Sequence, residues 1–301
     1  MTSTTPRSEG VILEGLDGSN PLAFLAALGA LRTLSFAWPD KKVRMAWISR
    51  AGAWRPVIHA SGHERAKREL ILESLEKALA KDMEDHPAKF LSGDRKSPVL
   101  SEVTSENREA AEWFSALCSD LAPDAASQIQ TARRDYFPRN IRSVVANTQR
   151  GHLDRALFVT WDYADSLENM SLHVDPSEDR RYAYQWVMPE GDPARKKNGG
   201  MLGANRLAIE AFPLFQSFAV GDKLSTSGFT GLGKDNARWT WPIWSCLLGL
   251  AETASLLRLQ DLQSERPIAE RLRARGISAA FRCRRILVGK TPNFTSATAV
   301  F

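Results

Sequence analysis

The segment that most constrains this fold is residues 22–38, which are rich in Ala and Leu and apolar on almost every side. Ser19 and Asn20 precede it, and either side chain can accept hydrogen bonds from the free N–H groups of a first helical turn. Pro21 suits the first helical position, where its missing N–H leaves no bond unmade. A helix that is apolar all round has to be buried, and a chain of 301 residues is long enough to enclose it.

Helix and strand signals alternate irregularly along the rest of the chain. Residues 43–48 and 54–59 are predicted to form two strands joined by a turn. Further predictions are helices at 63–83, 102–121, 205–211, 239–257 and 266–275, and strands at 157–163 and 277–288. This order indicates an α+β fold of mixed helices and short antiparallel strands, with helical segments at the N-terminal opening and in the C-terminal third.

Domain organisation is weakly marked. We predict an N-terminal α+β region at 1–130 and a basic α+β region at 131–301, with a single domain as the alternative. The sequence contains no run of 18 apolar residues, so we expect no membrane span. Residues 1–10 lack the apolar core of a secretory signal. Three widely separated cysteines argue against a disulfide framework. We therefore expect a cytoplasmic protein.

Positive charge is concentrated in two windows. Residues 266–290 contain eight basic residues and one acidic residue, and residues 133–155 contain six Arg and two Asp. Localised basic surface on a near-neutral body is typical of a polyanion-binding protein. Arg dominates both windows, and its planar guanidinium suits bidentate contacts with phosphate. The alternative is that these residues only solubilise the surface.

Three basic segments are candidate phosphate contacts. The loop Arg195-Lys196-Lys197 precedes a predicted helix that carries Arg206, and helix N-termini favour anions. In the last predicted strand, Arg282 and Arg284 share one face by the two-residue period. Arg285 and Lys290 extend the same basic segment.

A glycine-rich segment resembles a phosphate-cradling loop. Residues 228–234 (GFTGLGK) match its first seven positions, but Asp235 stands where a magnesium-binding hydroxyl is needed. We do not expect nucleotide hydrolysis here. Lys234 either touches a nucleic-acid phosphate or belongs to a plain connecting loop.

Tryptophans are concentrated in one C-terminal segment. Trp239, Trp241 and Trp244 suit a core or a subunit interface, and we assign them to a protein interface. Stacking on nucleic-acid bases is the alternative.

The sequence contains no recognisable catalytic or metal-binding motif. His59, His63 and Glu64 are in the wrong order for a zinc protease motif. His152, between Arg150 and Arg155, is the one His in a basic setting and the candidate for an RNA-cleaving alternative. We therefore predict no catalytic residue, metal or cofactor.

Several short motifs together resemble those of CRISPR-associated proteins from type I-G (formerly I-U) loci. The opening LDGSNPLAFLAALG is similar to the start of their large-subunit family. A shorter companion family, named as an extension of the helicase-nuclease, is more similar. The matching segments are 16–29, 203–208 (GANRLA), 212–215 (FPLF), 241–244 (WPIW) and the basic ending at 284–294.

This resemblance implies a non-catalytic subunit of an RNA-guided, Cascade-like antiviral effector complex. Its expected partners are CRISPR RNA or target DNA, other complex subunits and the helicase-nuclease, with no membrane. The chain is shorter than a full large subunit, so recognition of the protospacer flank is not implied. The alternatives are a nuclease that processes the guide or cleaves the target, and a protein adaptor that touches no nucleic acid.

Overall fold

The computed structural model describes residues 10–62, 67–80, 86, 88, 107–122, 124–131, 136–166, 170–178, 198–232, 237–288 and 291–301. Helix α1 (Pro21–Ala37) is the predicted central helix, and every side chain from residue 21 to residue 34 is buried. The Asn20 side chain accepts hydrogen bonds from the N–H groups of Leu22 and Ala23, at 2.8 and 3.0 Å. Of the two candidate caps, Asn20 is the one used, and the predicted position of Pro21 and burial of this helix are confirmed.

Eight further helices lie in the described residues. They are α2 (Arg68–Leu79), α3 (Arg108–Leu117), α4 (Phe137–Asn147), α5 (Arg150–Phe158), α6 (Leu202–Ala211), α7 (Leu250–Leu257), α8 (Gln260–Gln263) and α9 (Ala269–Arg273). Helix α6 is buried along its whole length between α1 and α5.

Two glycines allow α6 to touch its neighbours through backbone atoms. A Cβ added to Gly29 of α1 would lie 1.8 Å from the carbonyl oxygen of Leu207 in α6. A Cβ added to Gly203 of α6 would lie 2.1 Å from the carbonyl oxygen of His152 in α5. Both contacts require the absence of a side chain, so the three helices are packed closer than any other residue would permit.

The N-terminal sheet has the strand order β1-β3-β2, all antiparallel. Its strands are β1 (Val11–Ile12), β2 (Arg44–Arg50) and β3 (Ala53–His59). Ala51 and Gly52 connect β2 to β3 with φ of 51° and 77°, as a tight two-residue hairpin requires. The predicted pair of strands and its turn are confirmed.

The C-terminal sheet has the order β11-β10-β9-β8, and β12 also pairs with β10. Its strands are β8 (Phe229–Thr230), β9 (Arg238–Trp244), β10 (Ile277–Val288), β11 (Thr291–Phe294) and β12 (Thr298–Ala299). The final strand predicted at 277–288 is β10, with the same bounds. Two two-stranded antiparallel sheets stand apart. One pairs β4 (Asp165–Ser166) with β5 (Asn198–Gly200), and the other pairs β6 (Ser217–Val220) with β7 (Lys223–Thr226).

An aromatic cluster joins α1 to both larger sheets. The ring of Phe24 in α1 lies 5.7 to 6.4 Å, centroid to centroid, from four indole rings: Trp47, Trp239, Trp241 and Trp244. All five side chains are almost completely buried. The main core therefore forms where the apolar helix meets the tryptophan-rich strand β9.

Two secondary-structure predictions are wrong. Residues 239–244 are not the start of a helix, because they form β9, and the helix that follows begins only at Leu250. Residues 157–163 are not a strand, because α5 runs to Phe158. The first error has a clear cause: a short, continuously apolar run does not distinguish a buried strand from a buried helix by periodicity.

The fold class is α+β, as predicted, with several short antiparallel sheets and helices around one long buried helix. The main core draws residues from Leu13 to Phe294, on both sides of position 130. Among the described residues, no helix combines the length and apolarity needed to cross a membrane.

Candidate nucleic-acid interface

The register of β9 and β10 brings basic residues together on one face of the C-terminal sheet. Arg238 of β9 stands directly opposite Arg284 of β10, and Thr240 stands opposite Arg282. Residues directly opposite each other project to the same face, and Arg282 and Arg284 share a face by the strand period. The shared face of Arg282 and Arg284 is as predicted from the sequence, and Arg238 lies on it as well. We call the surface formed by these three guanidinium groups the arginine face.

Arg284 is the exposed member of this face, and Arg238 is 43% exposed. Arg282 is held more tightly. Its Nε donates to the Thr240 hydroxyl at 2.8 Å, and its Nη1 and Nη2 donate to the backbone carbonyls of Glu265 and Ser264 at 3.0 and 2.6 Å. Arg282 therefore fixes the loop after α8 against the sheet.

The pKa of Arg282 reflects the proximity of another positive charge on the arginine face. Burial lowers the pKa of Arg282, and the nearby charge of Arg238 lowers it further, against the opposing effect of Glu265. Like charges directly opposite on a sheet destabilise it. A carboxylate partly offsets this: Glu265 Oε1 lies 3.2 Å from Arg238 Nη1.

A cleft with a volume of about 370 Å³ opens beside these side chains. It is lined by Arg238, Arg282 and Glu265, together with Thr230, Gly231 and Gln263. Gln263 is fixed because its amide donates to the Thr240 carbonyl at 3.1 Å. The cleft thus has a rigid polar wall and two cationic groups, an arrangement that suits an anion.

Arg285 does not belong to this face, and its prediction as a phosphate contact is wrong. It is 4% exposed and projects to the opposite side of β10, where its Nη2 donates to the Gln130 carbonyl at 2.8 Å. Neighbouring strand residues point in opposite directions, so the exposure of Arg284 entails the burial of Arg285. Arg285 is a structural residue, not a phosphate contact.

Arg206 is also misassigned as a phosphate contact. It is 1% exposed and forms an ion pair with Glu210, one helical turn further along α6. Burial alone would raise the pKa of Glu210, but the charge of Arg206 and a hydrogen bond from His86 outweigh it and lower the pKa. This buried charge network belongs to the core.

The N-terminus of α6 is occupied by the protein's own carboxyl groups. Asp165 accepts from the Leu202 N–H at 2.7 Å, and Glu178 accepts from the Met201 N–H at 2.6 Å. Both side chains are buried. The helix terminus expected to attract an external anion is therefore already satisfied from within.

Five of the predicted site residues lie outside the described residues: Arg195, Lys196, Lys197, Lys234 and Lys290. The segment that resembles a phosphate loop is described as far as residue 232. Gly228 turns the chain with a φ of 83° between β7 and β8, and Phe229 and Thr230 are paired with β9. This hairpin differs from the strand-loop-helix arrangement that nucleotide-hydrolysing loops use.

Trp239, Trp241 and Trp244 are core residues, and the assignment to a protein interface is wrong for this conformation. Each has a relative exposure of 0%. The indole N–H of Trp241 donates to the Gly18 carbonyl at 2.8 Å, and that of Trp244 donates to the Met45 carbonyl at 2.9 Å. Because their rings are enclosed by α1 and both sheets, they offer no face to a partner or a base.

His152 has a structural role in α5. Its Nδ1 accepts from the backbone N–H of Gln149 at 3.0 Å and completes a capping box. The neighbouring Arg150 is paired with Glu69 and Glu76, and Arg155 with Asp162 and Asp165. Part of the second basic window is therefore neutralised within the chain.

In the part of the chain that the structure describes, no group of three or more His, Cys, Asp or Glu side chains is arranged to hold a metal ion. Comparison of the chain with family models, curated proteins and solved structures finds no match.

Sequence reasoning missed Arg238, because it lies outside both basic windows. Arg238 and Arg284 are 46 positions apart in the sequence, and only the pairing of β9 with β10 brings Arg238 to the arginine face. The ion pair of Arg206, in contrast, had a readable signal: Glu210 lies four residues later on the same helix.

Proposed function

We propose that this chain is a non-catalytic, cytoplasmic subunit of an RNA-guided CRISPR effector complex of type I-G. In this role it contributes to antiviral defence by contacting phosphates of the guide RNA or the target DNA. The resemblance of its opening, middle and ending motifs to such proteins supports the assignment to this class of complex. Base pairing would supply sequence specificity, and the protein would supply charge.

The observation that carries the phosphate-binding part is the arginine face. Three guanidinium groups share one side of β9 and β10, two of them directly opposite each other. Such an arrangement costs stability in the unbound chain, and a polyanion that binds there relieves the repulsion. Arg284 is exposed and Arg238 is half-exposed, so both can reach a nucleic-acid backbone.

Fluorescence anisotropy with labelled single-stranded RNA, single-stranded DNA and duplex DNA tests this binding. We expect affinity to fall steeply with salt and to depend little on sequence. Arg284→Glu should weaken binding on the order of tenfold at low salt and reduce the log–log salt slope by about 1. Lys77→Glu on the exposed side of α2 makes the same change of net charge away from the arginine face.

Equal weakening by the two variants would show that only net charge matters, and undiminished binding by Arg284→Glu would refute the assignment of this face. Membership of the complex is tested separately. The tagged chain is purified from a host that carries its neighbouring genes, and the bound RNA is sequenced. Guide-length RNA with partner subunits is the expected result, whereas recovery of the protein alone contradicts it.

A further inference from the structure

The cleft beside Arg238 and Arg282 contains a carboxylate in the position where a bound anion would lie. Glu265 lines this cleft and its Oε1 lies 3.2 Å from Arg238 Nη1. We propose that the cleft is a phosphodiester-binding site and that Glu265 is its internal competitor, displaced when a nucleic-acid phosphate binds. This inference rests on the proposed function and adds a location and a regulating residue to it.

The backbone of Glu265 is held in place while its side chain is not. Arg282 Nη1 donates to the Glu265 carbonyl at 3.0 Å, which anchors the main chain at the edge of the cleft. The Glu265 side chain is 80% exposed, and Arg238 is its one ion-pair partner among the described residues. A carboxylate so anchored can swing away without disturbing the sheet.

A nucleic-acid phosphate should bind Arg238 in preference to the Glu265 carboxylate. An ion pair as exposed as Arg238–Glu265 is weak, because water screens it. A guanidinium carries five N–H donors. Arg282 uses three of them within the described part of the chain, and Arg238 uses one for Glu265. A phosphate between the two guanidinium groups can accept from both, so it gains at least two charge-assisted bonds where Glu265 makes one.

Glu265→Gln tests the competitor directly, with labelled single-stranded RNA as the probe. We expect binding about two- to fivefold tighter than wild type at low salt, because the carboxylate no longer occupies Arg238. Glu73→Gln on the exposed side of α2 is the matched control, with the same change of net charge. Both positions are exposed, so thermal unfolding of both variants should match wild type.

A second pair of variants shows whether Glu265 acts through Arg238. In an Arg238→Gln background, adding Glu265→Gln should produce no more gain than Glu73→Gln does. Two results would refute the competitor role of Glu265. In one, Glu265→Gln increases RNA affinity no more than Glu73→Gln does in the wild-type background. In the other, its increase in RNA affinity is unchanged when Arg238 is absent.

Inorganic phosphate as a competing ligand separates the possible sources of the anion. With the RNA probe below either dissociation constant, displacement of the RNA at a lower millimolar phosphate concentration from Glu265→Gln than from wild type supports a phosphate site at the cleft, because the variant lacks the competing carboxylate. Resistance of both proteins to phosphate overturns the location of the site. If wild type binds none of the oligonucleotides, the proposed function fails, whereas salt-dependent binding that Glu265→Gln leaves at the control level refutes this inference alone.

Discussion

Replacing Gly29 by Ala tests whether α1 and α6 are held together through their backbones. The added Cβ would lie 1.8 Å from the Leu207 carbonyl oxygen and 2.6 Å from its carbonyl carbon. Neither atom can rotate away, since both are backbone. To restore ordinary contact, the two helices must separate by roughly 1.5 Å in a close-packed core.

Two opposing effects set the size of the change in unfolding free energy. Ala is better than Gly within a helix by about 1 kcal/mol. Overpacking a core typically costs about 1–3 kcal/mol, and more when nothing flexible can yield. Because Gly29 meets backbone and lies in the buried part of α1, we expect a net loss of about 2 kcal/mol or more, or roughly 3 °C or more in Tm for a chain of this length.

Urea and thermal unfolding followed by tryptophan fluorescence measures this loss. Gly151→Ala is the control, because a Cβ at Gly151 in the first turn of α5 would meet nothing within 4 Å. That variant should be as stable as wild type or slightly more stable. A Gly29→Ala protein that unfolds at or above the wild-type midpoint would refute the backbone-contact reasoning.

Two further predictions concern polar groups at the starts of α6 and α1. Burial, followed by the charge of Asp175, raises the pKa of Glu178 from 4.5 to about 8, so its contribution to stability is full below about pH 4.5 and is lost as the pH rises through about 8. Unfolding measured from pH 5 to pH 9 should therefore show falling stability in wild type and a weaker fall in Glu178→Gln; an identical pH profile for the two proteins would contradict this. Asn20→Ala removes both capping hydrogen bonds of α1 and the 2.9 Å hydrogen bond from Asn20 to Asp175. It should cost about 1–2 kcal/mol in urea unfolding, and a midpoint equal to that of wild type would show that the cap contributes nothing.

Local signals determined how much of the fold was predictable. The cap at Asn20, Pro21 and the all-round apolarity specify α1, and Ala51-Gly52 specifies the turn between two strands; both features depend on neighbouring residues. Strand β9 depends instead on pairing with β10, over 30 residues later, and its apolar run was equally compatible with a buried helix. The same long-range pairing determines the candidate site.

Whether the placement of each arginine could be predicted depends on where it lies in its strand. Arg282 and Arg284 were placed on one face correctly because the strand period is local. Arg285 was misassigned because composition counts charges without regard to which side of the strand they occupy. Arg238 was missed because its position beside Arg284 is a property of the register, which no single segment encodes.

The packing of α1 against β9 has a consequence for synthesis of the protein. The hydrogen bond from Trp241 to Gly18 joins residues 223 positions apart. At about 5–20 residues per second, the ribosome takes roughly 10–45 s to supply β9 after α1 has been made. During that interval an apolar helix lacks the strand that covers it, so we expect nascent chains truncated before β9 to be captured by chaperones and the full-length chain to be released.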